Sequence, residues 1–374
     1  MKVCYVDHSF HQKTLSTQFV AEMLRKQGIT VDFVWDDAWH GGTPANLDEL
    51  IGSYDAFVFF QLAAKSSRPY YKLPVNITFI PMFDTYGNDG TLHFHREEWK
   101  RFAGVKVLNF SRALHSAVSS HGLASRYFQY FPDPSRYACE TAATGLSGFL
   151  WQRLPQQINW QLVKQLTAGA AFDAFHLHMA VDPFHKQVYP SADEREQYRI
   201  TLTDWFEDRT EYYRKVAAAQ VYFTPRPSEG IGMSFLEAMA MGKCVVSPDF
   251  GTMNDYILHG VNGLLYDLHR PQPLDFSQAA QLGARARESV ERGFEQWQKR
   301  EAELVEYIVT PPDKIYNRLY PMGIDCAALA GDAGAGPGLG MRVRTLLLRC
   351  KQWIGRSRLR PILHPIWQRI KGGS

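Results

Sequence analysis

Two glutamates eight residues apart, Glu229 and Glu237, bracket a stretch that can hold a phosphorylated ligand. Residues 221–267 read VYFTPRPSEGIGMSFLEAMAMGKCVVSPDFGTMNDYILHGVNGLLYD. Val221 to Thr224 has the apolar run of a buried strand. Ser228-Glu229-Gly230-Ile231-Gly232 is a loop whose two glycines let backbone approach a ligand closely. Met233 to Met241 is a run of good helix formers stopped by Gly242. The start of that helix points at the loop, and free amides and the helix dipole there favour a phosphate. A carboxylate accepting from vicinal hydroxyls is the usual hold on a ribose or a hexose. Glu229 can reach a ligand beyond the helix start and Glu237 a group lying along the helix. The same residues also fit a helix cap and a solvated face, and at this level both readings stand. His176 and His178, alternating along an expected strand, read as one buried, hydrogen-bonded imidazole and one facing a loop, rather than as a metal pair.

Something must position that loop, and the rest of the chain alternates in the way a parallel sheet requires. Strand-like runs are expected at Lys2 to Val6, Thr30 to Trp35, Ala56 to Gln61, Ile77 to Phe83 and Val105 to Phe110. Helices fit at Thr14 to Gln27, Asn46 to Ser53, Arg96 to Phe102 and Arg112 to His121. A Pro-, Ala-, Thr- and Gly-rich segment follows and reads as an interdomain linker. The alternation then restarts, with strands at Gly148 to Gln152, Phe172 to His178, Tyr198 to Leu202, Val221 to Thr224, Cys244 to Ser247 and Gly263 to Tyr266. Helices are expected at Trp160 to Leu166, Arg209 to Ala219 and Phe276 to Val309. Crossovers of this length imply two successive doubly wound α/β domains. The boundaries expected are 1–135 for the first, 136–147 for the linker, 148–310 for the second, 311–340 for a crossover and flexible linker, and 341–374 for a tail. In a doubly wound sheet, ligands bind at the carboxyl ends of the strands, where the Glu229 loop would sit.

The 374 residues suit two domains at roughly 100–200 residues each. The apolar share of 45% and charged share of 21% are those of a globular protein, and 13% aromatics suits large cores and clefts. Five cysteines are scattered without zinc spacing, which fits reduced thiols in a cytoplasmic protein. The opening residues read as a strand, not a signal peptide, and no apolar run approaches membrane-spanning length. The net charge of +3 is unevenly spread. Residues 341–374 hold nine Lys or Arg and no acid; the remaining 32 bases face 38 acids, so the body carries −6 and the tail +9. With Trp353, Trp367 and many Leu and Ile among its bases, the tail reads as an anchor lying on the inner membrane surface. A docking segment for a partner enzyme is the next reading; no nucleic-acid partner is expected.

In order along the chain, Ser228-Glu229-Gly230-Ile231-Gly232, Leu236-Glu237-Ala238-Met239-Ala240, Gly242, Val245-Val246, Gly251 and Gly260-Val261-Asn262-Gly263 resemble the signature of retaining glycosyltransferase family 4, the "group 1" transferases with a GT-B fold. The likeness is strong over about 45 residues, and the two-domain alternation extends it to about 1–310. It implies two Rossmann-like domains facing a cleft, an acceptor-binding one first and a nucleotide-sugar-binding one second. It also implies that Glu229 contacts the donor sugar and Glu237 the ribose hydroxyls. Gly230, Ile231 and Gly232 would face the sugar and diphosphate, with Met233 and Ser234 against the phosphates. Arg153 matches the family's arginine on the diphosphate. The lysine that often accompanies it is Asn159 here, so Lys164 or another base would have to substitute. Asp84 is the expected polar occupant where relatives carry a cleft histidine. The first loop lacks the family's glycines but offers His8, His11 and Lys13 to an acceptor, and Arg112 is a further candidate on that side.

The resemblance thus implies transfer, with retention, of a hexose-type sugar from a UDP- or GDP-type donor to a hydroxyl of a glycan or lipid-linked acceptor. Cell-envelope polysaccharide or lipopolysaccharide core synthesis is the expected setting, and the expected location is cytoplasmic, at the face of the inner membrane. No cofactor and no metal are expected. The alternative is a catalytically silent GT-B-like protein that binds sugar or nucleotide and scaffolds a membrane complex.

Overall fold

In a computed structural model of the chain, residues 1–87, 91–138 and 145–331 are described. The expected membrane-facing tail, 341–374, lies outside them. Among the described residues, twelve strands form two six-stranded sheets, every strand pairing within them parallel. The first holds β1 (Lys2–His8), β2 (Thr30–Asp36), β3 (Ala56–Phe60), β4 (Asn76–Ile80), β5 (Lys106–Asn109) and β6 (Ser125–Tyr127), in the order β2-β1-β3-β4-β5-β6. The second holds β7 (Ser147–Trp151), β8 (Ala174–His178), β9 (Ile200–Thr203), β10 (Val221–Phe223), β11 (Cys244–Pro248) and β12 (Leu264–Tyr266), in the order β12-β11-β10-β7-β8-β9. Strands with helices on both faces are buried along their length and read as near-continuous apolar runs. Accordingly β3, β4, β10 and β11 are buried at every position.

In each sheet the chain order reverses once, and the crevice outside that point is where a ligand fits. In the second sheet it lies between β7 and β10, in register Val221 to Gly148 and Phe223 to Leu150. In the first it lies between β1 and β3.

Several elements depart from expectation. The helix expected over Thr14 to Gln27 is two pieces, His11–Thr14 and Gln18–Lys26, because Leu15 adopts a left-handed conformation at φ 55°. Asn46 to Ser53 narrows to Leu47–Leu50, started by the Asn46 side chain accepting from the Asp48 amide. Within 311–340, expected as linker, Pro312–Leu319 and Cys326–Ala330 are helical, the former burying Ile315 and Tyr316. Residues 95–103 and the described part of 325–374 form a small unit of their own.

The 31-residue helix Ala279–Val309 leaves the second sheet and ends on the first. Lys106 on β5 donates to the carbonyls of Tyr307, Ile308 and Thr310 at 2.5–2.6 Å, and Asn76 on β4 donates to those of Ile308 and Val309. The last carbonyls of a helix have no partner within it, so these two side chains cap its end. Among the described residues, no helix is long and apolar enough to cross a membrane.

Candidate active site

β10 delivers the chain to Pro225-Arg226-Pro227, and the loop Ser228–Gly232 then turns into the helix Met233–Ala240. Gly232 caps that helix at φ 85°, in the left-handed region, and no side chain caps it. A Cβ on Gly232 would stand 1.8 Å from the Phe235 ring, and one on Gly230 would stand 2.5 Å from the Met82 sulfur. Both glycines are therefore required by close approach: Gly230 by contact with the first sheet's chain, Gly232 by its own helix. The Thr252 hydroxyl donates to the Glu229 carbonyl at 2.6 Å and pins the loop.

Glu229 is buried in a cluster of opposite charges. The Arg226 Nη1 lies 2.9 Å from Asp84 Oδ2 and 3.9 Å from Glu229 Oε2, and its Nε lies 3.7 Å from Asp182 Oδ2. Arg153, just after β7, donates from Nε to Asp182 Oδ1 at 2.7 Å and lies over the Trp151 ring. Arg153 and Arg226 thus leave adjacent strands at the reversal point and share one carboxylate. Asp84 comes from the turn Phe83–Thr85 after β4. Burial raises the Glu229 carboxyl above its ordinary range, and Arg226 and Arg153 oppose that rise.

Glu237, in the same helix, meets different company. Its Oε1 accepts from Arg209 Nη2 at 2.6 Å, Tyr213 hydroxyl at 3.2 Å and Tyr137 hydroxyl at 3.3 Å. It too is raised by burial, against the pull of Arg209 and the two phenols. Of the remaining donor-side residues, Ile231 is buried and Met233 and Ser234 are half-buried at the helix start.

On the first sheet, His8 and His11 lie outside the β1–β3 reversal point. His8 Nε2 meets Gln61 Oε1 at 3.2 Å, and His11 Nδ1 meets Asp7 Oδ1 at 2.6 Å, with the two imidazoles 3.8 Å apart. Burial and the neighbouring His11 hold His8 below its ordinary pKa, although it feels the charge of Asp84. Asp7, His8 and His11 bring ligand-type atoms within 4.8 Å of one another. Both Asp7 oxygens are already bonded, Oδ2 by the Thr17 hydroxyl. Lys13 is exposed. Arg112 is turned to Asp255, to which its amide donates at 2.8 Å.

Asn159 caps the helix Trp160–Leu166, accepting from the Leu162 amide and donating to the Pro155 carbonyl. Lys164 is paired with Glu194 at 3.0 Å. His178 is buried and hydrogen-bonded, as one of the pair was expected to be, but His176, two residues away and so on the same face of β8, bonds the same Thr203 hydroxyl instead of facing a loop. Sequence reasoning missed Arg226, Asp182, Arg209, Tyr137 and Tyr213. Only Arg226 left a trace: a lone cation held between two prolines directly after a buried strand.

Residues 159–281 match the family model described as glycosyl transferases group 1, a span that contains both Glu229 and Glu237. The protein is a glycosyltransferase. No curated protein matches its sequence. Solved structures resemble the enzyme in fold. Sucrose-phosphate synthase from Thermosynechococcus elongatus is 13% identical, with a TM-score of 0.59 over 86% of this chain and 100% of that one. Anabaena HepE, solved in complex with UDP, is 13% identical, with a TM-score of 0.55 over 81% and 99%. The lipopolysaccharide outer core galactosyltransferase WaaB is 12% identical, with a TM-score of 0.50 over 86% and 100%. The glycosyltransferase therefore has the GT-B fold, two parallel α/β sheets with helices.

Proposed function

We propose that this enzyme moves a hexose-type sugar, with retention, from a UDP- or GDP-type donor to a hydroxyl of a glycan or lipid-linked acceptor. The observation that carries the proposal is the pair Glu229 and Glu237, both buried, on a loop and helix whose uncapped start sits at the reversal point of the second sheet. In this reading Glu237 accepts from the ribose hydroxyls, Glu229 faces the donor sugar, and the amides at Met233 and Ser234 meet the phosphates. Arg153 opposes the charge that grows on the diphosphate as the bond to the anomeric carbon breaks. Retention requires the acceptor oxygen to enter on the face the diphosphate leaves. The departing phosphate oxygen is then the nearest group to take the acceptor's proton. His8, His11 and Lys13, on the first sheet, are the acceptor-side groups, and 1–135 and 148–310 are the two domains.

HepE has been solved with UDP and with UDP-glucose, and WaaB is a lipopolysaccharide outer core galactosyltransferase. These support a nucleotide-sugar donor and a cell-envelope setting, where the basic tail would hold the enzyme at the cytoplasmic face of the inner membrane. The silent-scaffold reading draws on Asn159, which serves as a helix cap where relatives often place a lysine.

Calorimetric titration with UDP, GDP, ADP and CMP tests the donor site. One nucleotide is expected to bind, and Glu237→Ala to lose it. Absence of binding at millimolar concentration for all four would reject the site. Formation of a glycosylated product from any donor would exclude the scaffold.

A further inference from the structure

We propose that Arg226 is the second cation on the donor's diphosphate, and that Asp84 occupies it until the donor arrives. The inference rests on the nucleotide-sugar reading and adds to it a residue that neither the sequence signature nor the family match points to.

Three observations converge. The first is placement. Arg226 leaves β10 and Arg153 leaves the adjacent β7, so both guanidinium groups stand outside one reversal point. The two oxygens of Asp182 hold them, at 2.7 Å to Arg153 and 3.7 Å to Arg226. Two guanidinium groups gathered on one small anion is also the arrangement that a diphosphate needs, since its charge is spread over two phosphates.

The second is unspent bonding capacity. Arg226 Nε and Asp84 Oδ1 are buried without a hydrogen bond. Buried polar atoms normally have a partner, so this pair retains bonding capacity that a ligand oxygen at Arg226 can use. The Arg226–Asp84 pair joins the loop after β10 to the turn after β4, and so spans the two sheets. A phosphate oxygen arriving at Arg226 would take the place of the Asp84 carboxylate. That carboxylate would then be free on the side where the donor sugar must lie.

The third is elimination. Asn159 is spent as a helix cap and Lys164 on Glu194. Arg209 is bound to Glu237. The flanking Pro225 and Pro227 each fix one backbone dihedral and limit where the side chain of Arg226 can go.

The test compares a diphosphate with a monophosphate on the same base: UDP with UMP and GDP with GMP, by calorimetry on the full chain. Wild type is expected to prefer the diphosphate. Arg226→Gln should weaken diphosphate binding by about 10-fold or more, as loss of a charge-assisted contact does, and leave the monophosphate within about 3-fold. Arg226→Lys should restore part of the preference. Asp84→Asn, which removes the competing carboxylate, should tighten the diphosphate several-fold, a gain that damage to the fold would not produce. Equal loss of mono- and diphosphate in Arg226→Gln, or no gain in Asp84→Asn, would overturn the inference while leaving the transferase reading intact. Failure of wild type to bind any diphosphate would remove both.

Discussion

Glu229 and Glu237 belong to one loop-and-helix segment, are both buried and are both pushed up by burial, yet their surroundings have little in common. Around Glu229 the neighbours are ionic and come from both sheets: Arg226, Arg153, Asp182 and Asp84. Among the described residues the cation nearest the Glu229 carboxylate, Arg226, stands 3.9 Å away. Around Glu237 one oxygen is saturated by a guanidinium and two phenols. The first setting suits a group whose partners change as charge moves. The second suits a fixed acceptor. A carboxylate already held by three donors needs little reorganisation to accept a fourth at its other oxygen, and that is an affinity device. A carboxylate among exchangeable charges responds to the reaction itself.

This contrast sets out what should fail where. The largest effect is expected from Glu229→Gln, with turnover down roughly 10²–10³-fold, as for loss of one preorganised electrostatic contact, and nucleotide affinity within about 3-fold. Steady-state rates and calorimetry on one preparation would decide it, and an equal loss in both would erase the distinction between the two glutamates. Next comes Glu237→Gln, which keeps the shape but removes the charge. Nucleotide affinity is expected to fall about 10-fold, with a much smaller change in the rate at saturation. Asn159→Ala should cost about 1 kcal/mol in denaturant unfolding, the usual worth of a helix cap, with Asn159→Asp recovering it. If Asn159→Ala instead slows transfer at unchanged stability, the side chain belongs to the donor site.

The smallest effect is in pH dependence. Each raised carboxyl keeps a proton that the unfolded chain has already released, so its contribution to stability declines as pH rises from 4.5 through the raised value. His176 and His178, lowered by burial to about 4, act in the opposite sense: the unfolded chain binds their protons first, so stability rises with pH between about 4 and 6.5. The informative quantity is therefore the difference between wild type and each glutamine variant across pH. That difference should flatten the falling slope for both glutamates.

The loop and helix from Ser228 to Ala240 were legible because each device there is local: glycines for close approach, good helix formers, a glycine stop. Most strands were legible because parallel strands buried on both faces read as near-continuous apolar runs. Arg226, Asp182, Arg209, Tyr137 and Tyr213 were not, because their roles depend on pairs far apart in sequence. Tyr137 and Glu237 are 100 residues apart and Asp84 and Arg226 are 142, and no periodicity records such pairs. Strand β6 was missed for a related reason: Ser125-Arg126-Tyr127 has no apolar run, unlike the equally short β10 and β12, and is held by pairing with β5. The Arg112 side chain, legible as a cation near the cleft, shows the same limit, since only the fold reveals Asp255 beside it.

The capped end of the long helix has a mechanical consequence. The chain passes from the first sheet to the second near Tyr137, and it returns where Lys106 and Asn76 grip residues 307–310. Two bodies tied at one point can swivel freely, but tied at two they turn only about the line through both ties. Once the Asp84–Arg226 and Arg112–Asp255 contacts part, those two crossings leave the sheets a single angle, like a door on two pins. Loosening the Lys106 pin should free the other angles without touching any atom near the donor.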